Sequence, residues 1–328
     1  MRDSSRAEER GLNDMKKINL YVYPKANPHD HDSTEHCKNT VPFSKKGIED
    51  HCILTTPDKA DYFYMGQLNN DRGDLTRYKS THFQYFKGNE DRHICDIEGE
   101  GGFEASHRSP IPGWLHNSII TTMGPLKRYD NIDLLFTRPT FSHLFMDIIR
   151  NQRSGFDFPS KKSFGMRAFL NHKIRALTLY VMHKSDFDKE IHVNRKWQGL
   201  SDIGSKTQKE FVDTMLNNSI SLCPRGSGID SVRFFESCYY NRLPVIITDY
   251  NYMLFGEDHY DMDFCYRVHN PNMSPEYLLE ELTKIYDSPW QDMKDRSQMG
   301  KEYFETIVRD YFQDPTAYFL RWLEKNEK

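Results

Sequence analysis

Residues 220–249 read ISLCPRGSGIDSVRFFESCYYNRLPVIITD, and this stretch decides the fold. Ile220–Cys223 is a short apolar run typical of a buried strand, and the glycine loop Pro224–Gly228 follows it directly. Val232–Tyr240 has helical character, and Pro244–Thr248 is a second, strongly apolar strand. A strand, a glycine loop, a helix and another strand in this order predict an α/β protein.

The loop between this strand and this helix has the features of an anion-binding site. Gly226 and Gly228 allow the backbone to approach a ligand closely, because neither carries a side chain. The helix opens near Ser231, and a helix N-terminus presents unpaired N–H groups with a partial positive charge. The pattern therefore predicts that a phosphate binds here.

Three charged residues extend this prediction from a phosphate to a nucleotide. Arg225 in the loop and Arg233 in the first helical turn can reach the same phosphate oxygens with bidentate geometry. Glu236 lies three residues after Arg233, and its carboxylate can accept hydrogen bonds from ribose hydroxyls. The alternative is that Arg233 and Glu236 form only a surface ion pair. No GK[ST] follows the loop and no GxGxxG follows the first strand, so an NTPase of the Walker type and a dinucleotide enzyme are not indicated.

The rest of the chain repeats the α/β rhythm in two halves. Further strands are predicted at Ile18–Tyr23, Tyr62–Met65, Arg92–Ile97, Ile132–Thr137, Ser163–Met166 and Glu190–Val193. Helices are predicted near Leu75–Phe86, along the stripe Ile174, Leu177 and Val181, over Lys206–Leu216, and after the caps Ser274-Pro275 and Asp314-Pro315. The Gly-, Pro- and charge-containing segment Arg153–Lys162 is the expected linker between the halves.

Composition limits the kind of protein this is. The 328 residues give room for two α/β domains, and 37% hydrophobic with 13% aromatic residues is enough for packed cores. The charge sum of 44 − 48 = −4 provides no basic field for nucleic acid. No apolar stretch approaches the roughly 18 residues of a membrane span. Residues 1–17 read as a solvated tail with neither signal peptide nor anchor, translation could begin at Met1 or Met15, and a cytoplasmic location is expected.

Metal and disulfide chemistry are not indicated. The six cysteines form no CxxC, and several lie within apolar patterns, which is typical of reduced core residues. His29, His31 and His36 stand among acidic residues and offer metal-ligand types. Because they have neither helical spacing nor a cysteine pair, a solvated loop is the preferred interpretation, and no metal site is predicted.

The run CPRGSGIDSVRFFE at 223–236, followed by the strand PVIITD at 244–249, resembles the exostosin-like glycosyltransferases. In that family a CPxG loop, an arginine at the helix start, a glutamate and a PVI strand recur at this spacing. Weaker similarities are LYVYP at 20–24, ADYFYMGQL at 60–68 and SFGMR at 163–167. The resemblance spans about residues 18 to 310 and is most specific in its last third.

The resemblance implies a GT-B fold, in which two Rossmann-like domains face each other across a cleft and helices end the chain. The domains would be 18–158, for the acceptor, and 159–328, for a nucleotide-sugar donor. It implies inversion at the anomeric carbon without an obligatory metal or other cofactor. Carried over by position, Arg225, Gly226, Ser227 and Gly228 would meet the diphosphate, Glu236 the ribose, and Arg233 the phosphate or sugar. Ser231, Arg167 and Arg175 complete the implied donor-binding set.

The catalytic base is sought in the stretch 92–102, which resembles a family strand that begins Asp-His and ends near Asp-x-Gly. Glu100 is the first candidate, Asp96 the second and Glu98 the third, and spacing by two places them on one side of an extended strand. Arg92 and Glu100 depart from the family pattern, which has Asp at both positions. Solvated acidic turn residues are the alternative. His107, His116 and His143 are further candidates that spacing does not separate.

The sequence therefore predicts an inverting glycosyltransferase that moves a sugar from a nucleoside diphosphate sugar to a hydroxyl of a glycan or glycoconjugate. Uridine is the expected base on family grounds. A GDP-sugar transferase of the fucosyltransferase kind is one alternative, and a non-catalytic carbohydrate-binding protein on a GT-B frame is another. A peripheral position at a membrane would suit a lipid-linked acceptor. The sugar, linkage, acceptor and oligomeric state are left open.

Overall fold

The computed structural model describes residues 17–24, 43–68, 79–97, 113–123, 134–139, 154–194, 205–226 and 231–326. These residues form two parallel β-sheets with helices, one sheet in each half of the chain. The α/β class and the two-sheet organisation predicted from the sequence are confirmed.

The first sheet has six parallel strands in the order β2-β1-β3-β4-β5-β6. The strands are β1 (Ile18–Val22), β2 (Cys52–Leu54), β3 (Tyr62–Leu68), β4 (His93–Ile97), β5 (Ile119–Met123) and β6 (Leu134–Arg138), and α1 (Lys45–His51) precedes β2. Ile94 and Ile119 are register partners on one face, and Cys95 and Ile120 on the other. All four are buried, as expected for a parallel sheet covered on both faces.

The second sheet has five parallel strands in the order β8-β7-β9-β10-β11. The strands are β7 (Phe164–Phe169), β8 (Lys189–Asn194), β9 (Ile220–Pro224), β10 (Leu243–Thr248) and β11 (Tyr266–His269). The helices are α2 (Lys173–Lys184), α3 (Ser205–Asn217), α4 (Arg233–Tyr239), α5 (Pro275–Asp287) and α6 (Trp290–Tyr303). Every residue of β9 and β10 is buried, which explains their continuous apolar sequence.

The end of the chain returns to the first sheet. After α6, a π-helical turn (Phe304–Val308) leads into α7 (Arg309–Gln313) and α8 (Pro315–Asn326). The ring of Phe319 in α8 lies 5.4 Å from that of Phe43 and 5.1 Å from that of Phe136, centroid to centroid. His51 Nε2 and an oxygen of Asp314 are 2.7 Å apart. The terminal helix therefore covers the first sheet, although it follows the second along the chain.

Both predicted helix caps are confirmed. The Ser274 side chain accepts a hydrogen bond from the Tyr277 N–H at 3.2 Å. Asp314 accepts one from the Ala317 N–H at 2.9 Å. The predicted linker was Arg153–Lys162, and its described part, Ser154–Lys162, contains neither helix nor strand. Arg242 donates to the Asp157 carbonyl in this segment at 2.7 Å.

The helix predicted near Leu75–Phe86 is wrong in its described part. Residues 79–86 contain only the 3₁₀ turn Ser80–His82, and residues 69–78 lie outside the described residues. Phe83 packs against Tyr23 with centroids 5.2 Å apart, and Phe86 against His93 at 4.8 Å. Aromatic contacts with the sheet, rather than helical periodicity, therefore set the path of this segment. The sequence did not predict β2, β5, β11, α1 or α6.

Strand order identifies where a ligand fits best. In each sheet the first strand lies between the second and the third, giving the order 2-1-3-4-5-6 in the first sheet and 2-1-3-4-5 in the second. The connections after the first and third strands leave in opposite directions, and the crevice between them at the carboxyl edge is the usual ligand position in such sheets. In the second sheet this switch point lies between Phe169, the end of β7, and Pro224, the end of β9.

The five cysteines within the described residues are free and buried, as predicted for core residues. In that part of the chain, no helix is long and apolar enough to cross a membrane.

Candidate functional site

Arg175 spans the switch point of the second sheet. It lies in the first turn of α2, and its Nη1 donates to the Phe169 carbonyl at 3.1 Å and to the Asn171 side-chain oxygen at 3.0 Å. Its Nε reaches the Pro224 carbonyl at 3.4 Å. The guanidinium thus holds the carboxyl ends of β7 and β9 together and places a positive charge in the crevice between them.

Gly226 is required for this arrangement. A Cβ at this position would lie 2.5 Å from Arg175 Nη2 and 2.8 Å from its Cζ. A larger residue would therefore push the guanidinium out of the crevice. The sequence predicted close backbone approach to a ligand at Gly226, and the neighbour that the structure gives it is the Arg175 guanidinium.

Arg225 and Lys173 share one carboxylate at the same edge. Arg225 Nη1 lies 2.8 Å from Asp249 Oδ1, and Lys173 Nζ lies 3.1 Å from Asp249 Oδ2. The Arg225 guanidinium also stacks over the ring of Tyr250, at 4.6 Å from the centroid. Burial opposes ionisation of Asp249, but Arg225 and Lys173 outweigh it and hold the pKa of this carboxyl below its ordinary value.

His172 completes this edge as the N-cap of α2. Its Nδ1 accepts a hydrogen bond from the Ile174 N–H at 3.2 Å. Burial lowers the pKa of His172, and the neighbouring cations Arg225, Lys173 and Arg175 lower it further, against the opposing effect of Asp249. We call Lys173, Arg175, Arg225, Asp249 and His172 the switch-point cluster.

Sequence reasoning found two members of the switch-point cluster, Arg225 and Arg175, and missed His172, Lys173 and Asp249. A usable signal was present, because Asp249 directly follows the predicted strand Pro244–Thr248. Lys173 directly precedes the apolar stripe of α2. Residues at the carboxyl ends of parallel strands gather at one edge, so positions just past each strand deserve inspection.

Arg167 and Arg233 lie together on the face of the sheet that carries α3 and α4. Arg233 is only 6% exposed, its Nη2 donates to the Arg167 carbonyl, and its guanidinium lies 4.6 Å from the centroid of Phe211. Arg167 Nη2 pairs with Glu210 at 2.6 Å. Within the described residues, Arg233 Nη1 and Arg167 Nε have no hydrogen-bond partner. Two arginines, each with an unused donor, are compatible with an anion nearby.

Glu236 is fully buried, with 0% of its surface exposed. It was predicted to accept ribose hydroxyls, but in this conformation it presents no surface to a ligand. Burial lowers the pKa of Arg233, and the Glu236 carboxylate opposes that shift. Glu236 is therefore placed to balance the positive charge of Arg233 in the first turn of α4.

Asp96, the second candidate for the base, is enclosed in the first sheet. Its Oδ1 lies 2.8 Å from Arg138 Nη2 and accepts a hydrogen bond from the Thr121 hydroxyl at 2.9 Å. The Asp96 and Arg138 side chains are 2% and 1% exposed. An acceptor hydroxyl cannot reach a carboxylate in this position, so the environment of Asp96 is that of a structural ion pair.

The remaining predicted site residues lie in different parts of the chain. Ser231 is buried, and its carbonyl accepts a hydrogen bond from the Phe234 N–H at 2.9 Å. His116 precedes β5, at the amino edge of the first sheet and away from the carboxyl edge.

The predicted residues outside the described ranges are Ser227, Gly228, Glu98, Glu100, His107, His143, His29, His31 and His36. Arg92, which departs from the family pattern, donates to the Asp61 carbonyl at 2.7 Å and to Asn89 Oδ1 at 3.0 Å.

A groove of about 590 Å³ borders the switch-point cluster. It lies between α2 and the segment that leads into α5, and Lys173 stands in its wall. Its other lining residues are Ile174, Ala176, Leu177, Tyr180, Pro271, Asn272, Met273 and Pro275. The lining is mostly apolar, and Tyr180 is 53% exposed. Among the described residues, no group of three or more His, Cys, Asp or Glu side chains is placed to hold a metal ion.

No family model matches the chain, and no curated protein matches it. Solved structures do. An α1,3-fucosyltransferase aligns with 93% of this chain and 93% of its own length, at 9% identity and a TM-score of 0.42. A glycosyltransferase from Rickettsia africae ESF-5 aligns with 95% of this chain and 98% of its own, at 10% identity and a TM-score of 0.40. TarM aligns with 76% of this chain at 10% identity and a TM-score of 0.35, and the chain covers 57% of TarM. At these scores, function has to be inferred from the residues of the switch-point cluster.

Proposed function

We propose that this protein is a glycosyltransferase that binds a nucleoside diphosphate sugar at the switch point of its second sheet. The observation that supports it is the convergence of Lys173, Arg175 and Arg225 at the carboxyl ends of the neighbouring strands β7 and β9, beside the carboxylate of Asp249. A diphosphate carries several negative charges on closely spaced oxygens. Arginine donors at fixed positions bind such a group with both charge and geometry.

The groove beside α2 provides space for the nucleoside. Lys173 belongs to both the cluster and the groove. Tyr180 lies seven residues further along α2, which is roughly 10 Å at the helical rise. A nucleoside diphosphate spans a similar length, so its phosphates can lie beside Lys173 while its base lies against Tyr180, where stacking on an exposed aromatic ring stabilises it.

The proposed reaction is inversion at the anomeric carbon. A base takes the proton of the acceptor hydroxyl, the oxygen attacks the anomeric carbon, and the nucleoside diphosphate leaves. Lys173, Arg175 and Arg225 stabilise the negative charge that develops on the departing phosphate, and this needs no divalent ion in principle. With Asp96 enclosed by Arg138, Glu100 and then Glu98 are the preferred sequence candidates for the base.

Donor and acceptor follow from the exostosin-like resemblance. We propose a UDP-sugar as donor and a glycan or glycoconjugate hydroxyl as acceptor. The same cations could bind a GDP-sugar, as in a fucosyltransferase, because they contact phosphates rather than the base. A non-catalytic protein that binds carbohydrate would use neither donor.

The test is calorimetric titration with pyrophosphate, UDP and GDP, with and without Mn²⁺. We expect wild-type protein to bind pyrophosphate and one nucleotide without Mn²⁺. Lys173→Gln should weaken both by roughly five- to tenfold, about 1 kcal/mol, because it removes one charge-assisted contact. The matched control is Lys161→Gln, because Lys161 is a similarly exposed lysine paired with an aspartate, Asp188, which lies before β8 at the opposite edge of the sheet.

Each outcome separates the alternatives. Tighter binding of GDP than UDP would favour the fucosyltransferase-like donor. A nucleotide that binds without release of sugar from any donor in the presence of glycan acceptors would indicate a protein that does not catalyse transfer. If wild-type protein binds neither pyrophosphate nor a nucleotide, the transferase proposal fails.

A further inference from the structure

His172 has a hydrogen-bonding geometry that fixes its chemistry. Helix N-caps are usually Ser, Thr, Asp or Asn, whose side-chain oxygen accepts from a backbone N–H. Here the acceptor is the imidazole Nδ1, 3.2 Å from the Ile174 nitrogen. The sequence assigned no role to this residue, and the reaction outlined above does not yet use it.

The cap determines the tautomer. A neutral imidazole carries one proton, and the nitrogen that accepts a hydrogen bond cannot be the protonated one. Because Nδ1 accepts from Ile174, the proton lies on Nε2. Within the part of the chain that the structure describes, the Ile174 contact is the one hydrogen bond of this side chain, so Nε2–H has no protein acceptor there.

The charges around His172 keep the ring neutral. Burial lowers the pKa of His172, Arg225, Lys173 and Arg175 lower it further, and Asp249 opposes them. Asp249 is already paired with Arg225 at 2.8 Å and with Lys173 at 3.1 Å. His172 therefore offers a neutral N–H donor in a group of cations.

We infer that His172 contacts the ligand: its Nε2–H donates a hydrogen bond to a phosphate oxygen of the diphosphate that Lys173, Arg175 and Arg225 bind. This rests on the proposed function. A neutral donor orients the phosphate and adds one hydrogen bond without adding a further positive charge, so it holds the released nucleoside diphosphate less tightly than another cation would.

The test separates the cap from the donor with two substitutions. His172→Asn keeps a cap acceptor but loses the donor, because its amide nitrogen lies near the position of the imidazole Cδ2 and does not reach that of Nε2. His172→Gln gives up the cap and places an amide N–H₂ donor at about the distance of Nε2. Titrations with pyrophosphate and UDP would compare both variants with wild type. We expect His172→Asn to bind about tenfold more weakly at the thermal stability of wild type, since the loss is one hydrogen bond to a charged group, and His172→Gln to bind within about threefold of wild type at lower thermal stability.

Two further measurements show which nitrogen of the His172 ring carries the proton and whether the ring is charged. Nitrogen NMR of the wild-type imidazole should show an unprotonated Nδ1 and a protonated Nε2 at pH 7. The ratio of wild-type to His172→Asn affinity should stay constant between pH 7 and pH 8, because the lowered pKa of His172 leaves the imidazole neutral in that range. An imidazolium at the site would instead strengthen wild-type binding at pH 7 relative to pH 8, and His172→Asn would not show this change.

The outcomes are distinguishable. If wild type binds pyrophosphate and His172→Asn binds it equally well, the role of His172 is overturned and the proposed function stands. A proton on Nδ1, or an affinity ratio that rises as the pH falls, also overturns it. If wild type binds neither probe, the inference and the proposed function fall together.

Discussion

Each sheet contains a buried Arg–Asp pair, and the two pairs have different surroundings. Arg138–Asp96 in the first half and Arg225–Asp249 in the second have the same nitrogen–oxygen distance, 2.8 Å. The first pair is 1% and 2% exposed, and the second is 4% and 7% exposed. The second is also joined by Lys173, whose side chain is 70% exposed. The same pair can therefore stabilise a core in one place and form part of a candidate ligand site in another.

Position along the strand explains the difference. Asp96 lies within β4 and Arg138 ends β6, and Thr121 of the intervening strand β5 bonds to Asp96. Tyr311 of α7 lies beside this pair, and burial raises the pKa of its hydroxyl. Arg225 and Asp249, in contrast, follow the last residues of β9 and β10. A pair within the strands is covered by helices, whereas a pair beyond the strand ends faces the crevice.

The largest effect is expected from breaking the enclosed pair. Asp96→Ala leaves the Arg138 charge buried without its partner, which costs about 3 to 5 kcal/mol of unfolding free energy. Urea denaturation measures this. Asp50→Ala removes the exposed Lys46–Asp50 pair and should leave the unfolding midpoint unchanged. An Asp96→Ala protein as stable as Asp50→Ala would show that burial does not distinguish the two classes of pair.

The first half should also carry a pH-dependent loss of stability. His93 is fully buried, with Nδ1 2.6 Å from the Asn89 carbonyl and Nε2 2.9 Å from the Tyr23 hydroxyl, and burial lowers its pKa to about 4. The unfolded chain takes up this proton near pH 6.5, so the stabilisation is complete above pH 6.5 and is lost as pH falls towards 4.

Between pH 7 and pH 5, this histidine should account for about 2 kcal/mol of the decrease in unfolding free energy. His93→Gln lacks the titrating group and should show a correspondingly smaller slope in urea denaturation at the two pH values. Equal slopes for the two proteins would mean that the pKa of His93 is the same in the folded and the unfolded state.

These results bear on how much the sequence alone can predict. Short apolar runs identified β9 and β10 and their α/β arrangement, because that information is local. Arg225 and Arg175 were found for the same reason, since each lies next to a recognisable element. The enclosure of Asp96 was not foreseen, because its partner, Arg138, lies two strands away. Strand order and register determine that contact, and no spacing in the sequence encodes it.

The missed members of the switch-point cluster illustrate the same limit. His172 and Asp249 are 77 positions apart in the chain and meet because β7, β9 and β10 are neighbours in the sheet. Glu236 was correctly placed on a helix, but its full burial follows from packing around α4. Local periodicity gives the elements, and long-range packing decides which charged groups remain accessible.

A smaller effect, opposite in sign, is expected from the accessible pair. Asp249→Asn removes the carboxylate that Arg225 and Lys173 now share, so both cations become more available to an anion. Pyrophosphate affinity should rise by about threefold to tenfold, roughly 1 kcal/mol. Calorimetry at fixed ionic strength measures it. Weaker binding in Asp249→Asn would mean that Asp249 positions the cations rather than competing for them.

The smallest effect should come from the groove. Tyr180→Ala removes the exposed ring and should lower the affinity for UDP by about fivefold, which is roughly 1 kcal/mol of stacking free energy. The affinity for pyrophosphate should not change. Leu279→Ala is the matched control, because Leu279 is also exposed on a neighbouring helix but does not line the groove. Parallel titrations of both variants with UDP and pyrophosphate measure this. An equal loss of affinity for UDP and pyrophosphate would mean that the uracil ring of UDP does not stack on Tyr180.

The return of α8 to the first sheet has a consequence for synthesis of the chain. The ribosome makes β1 to β6 first, but Phe319, which packs on Phe43 and Phe136, is added only after all strands of the second sheet. The first half therefore exposes an aromatic face throughout translation of the second half, and it completes its core only after residue 319 has left the exit tunnel. Protease protection of β6 in ribosome-bound chains of increasing length should accordingly appear late, after the second sheet is protected.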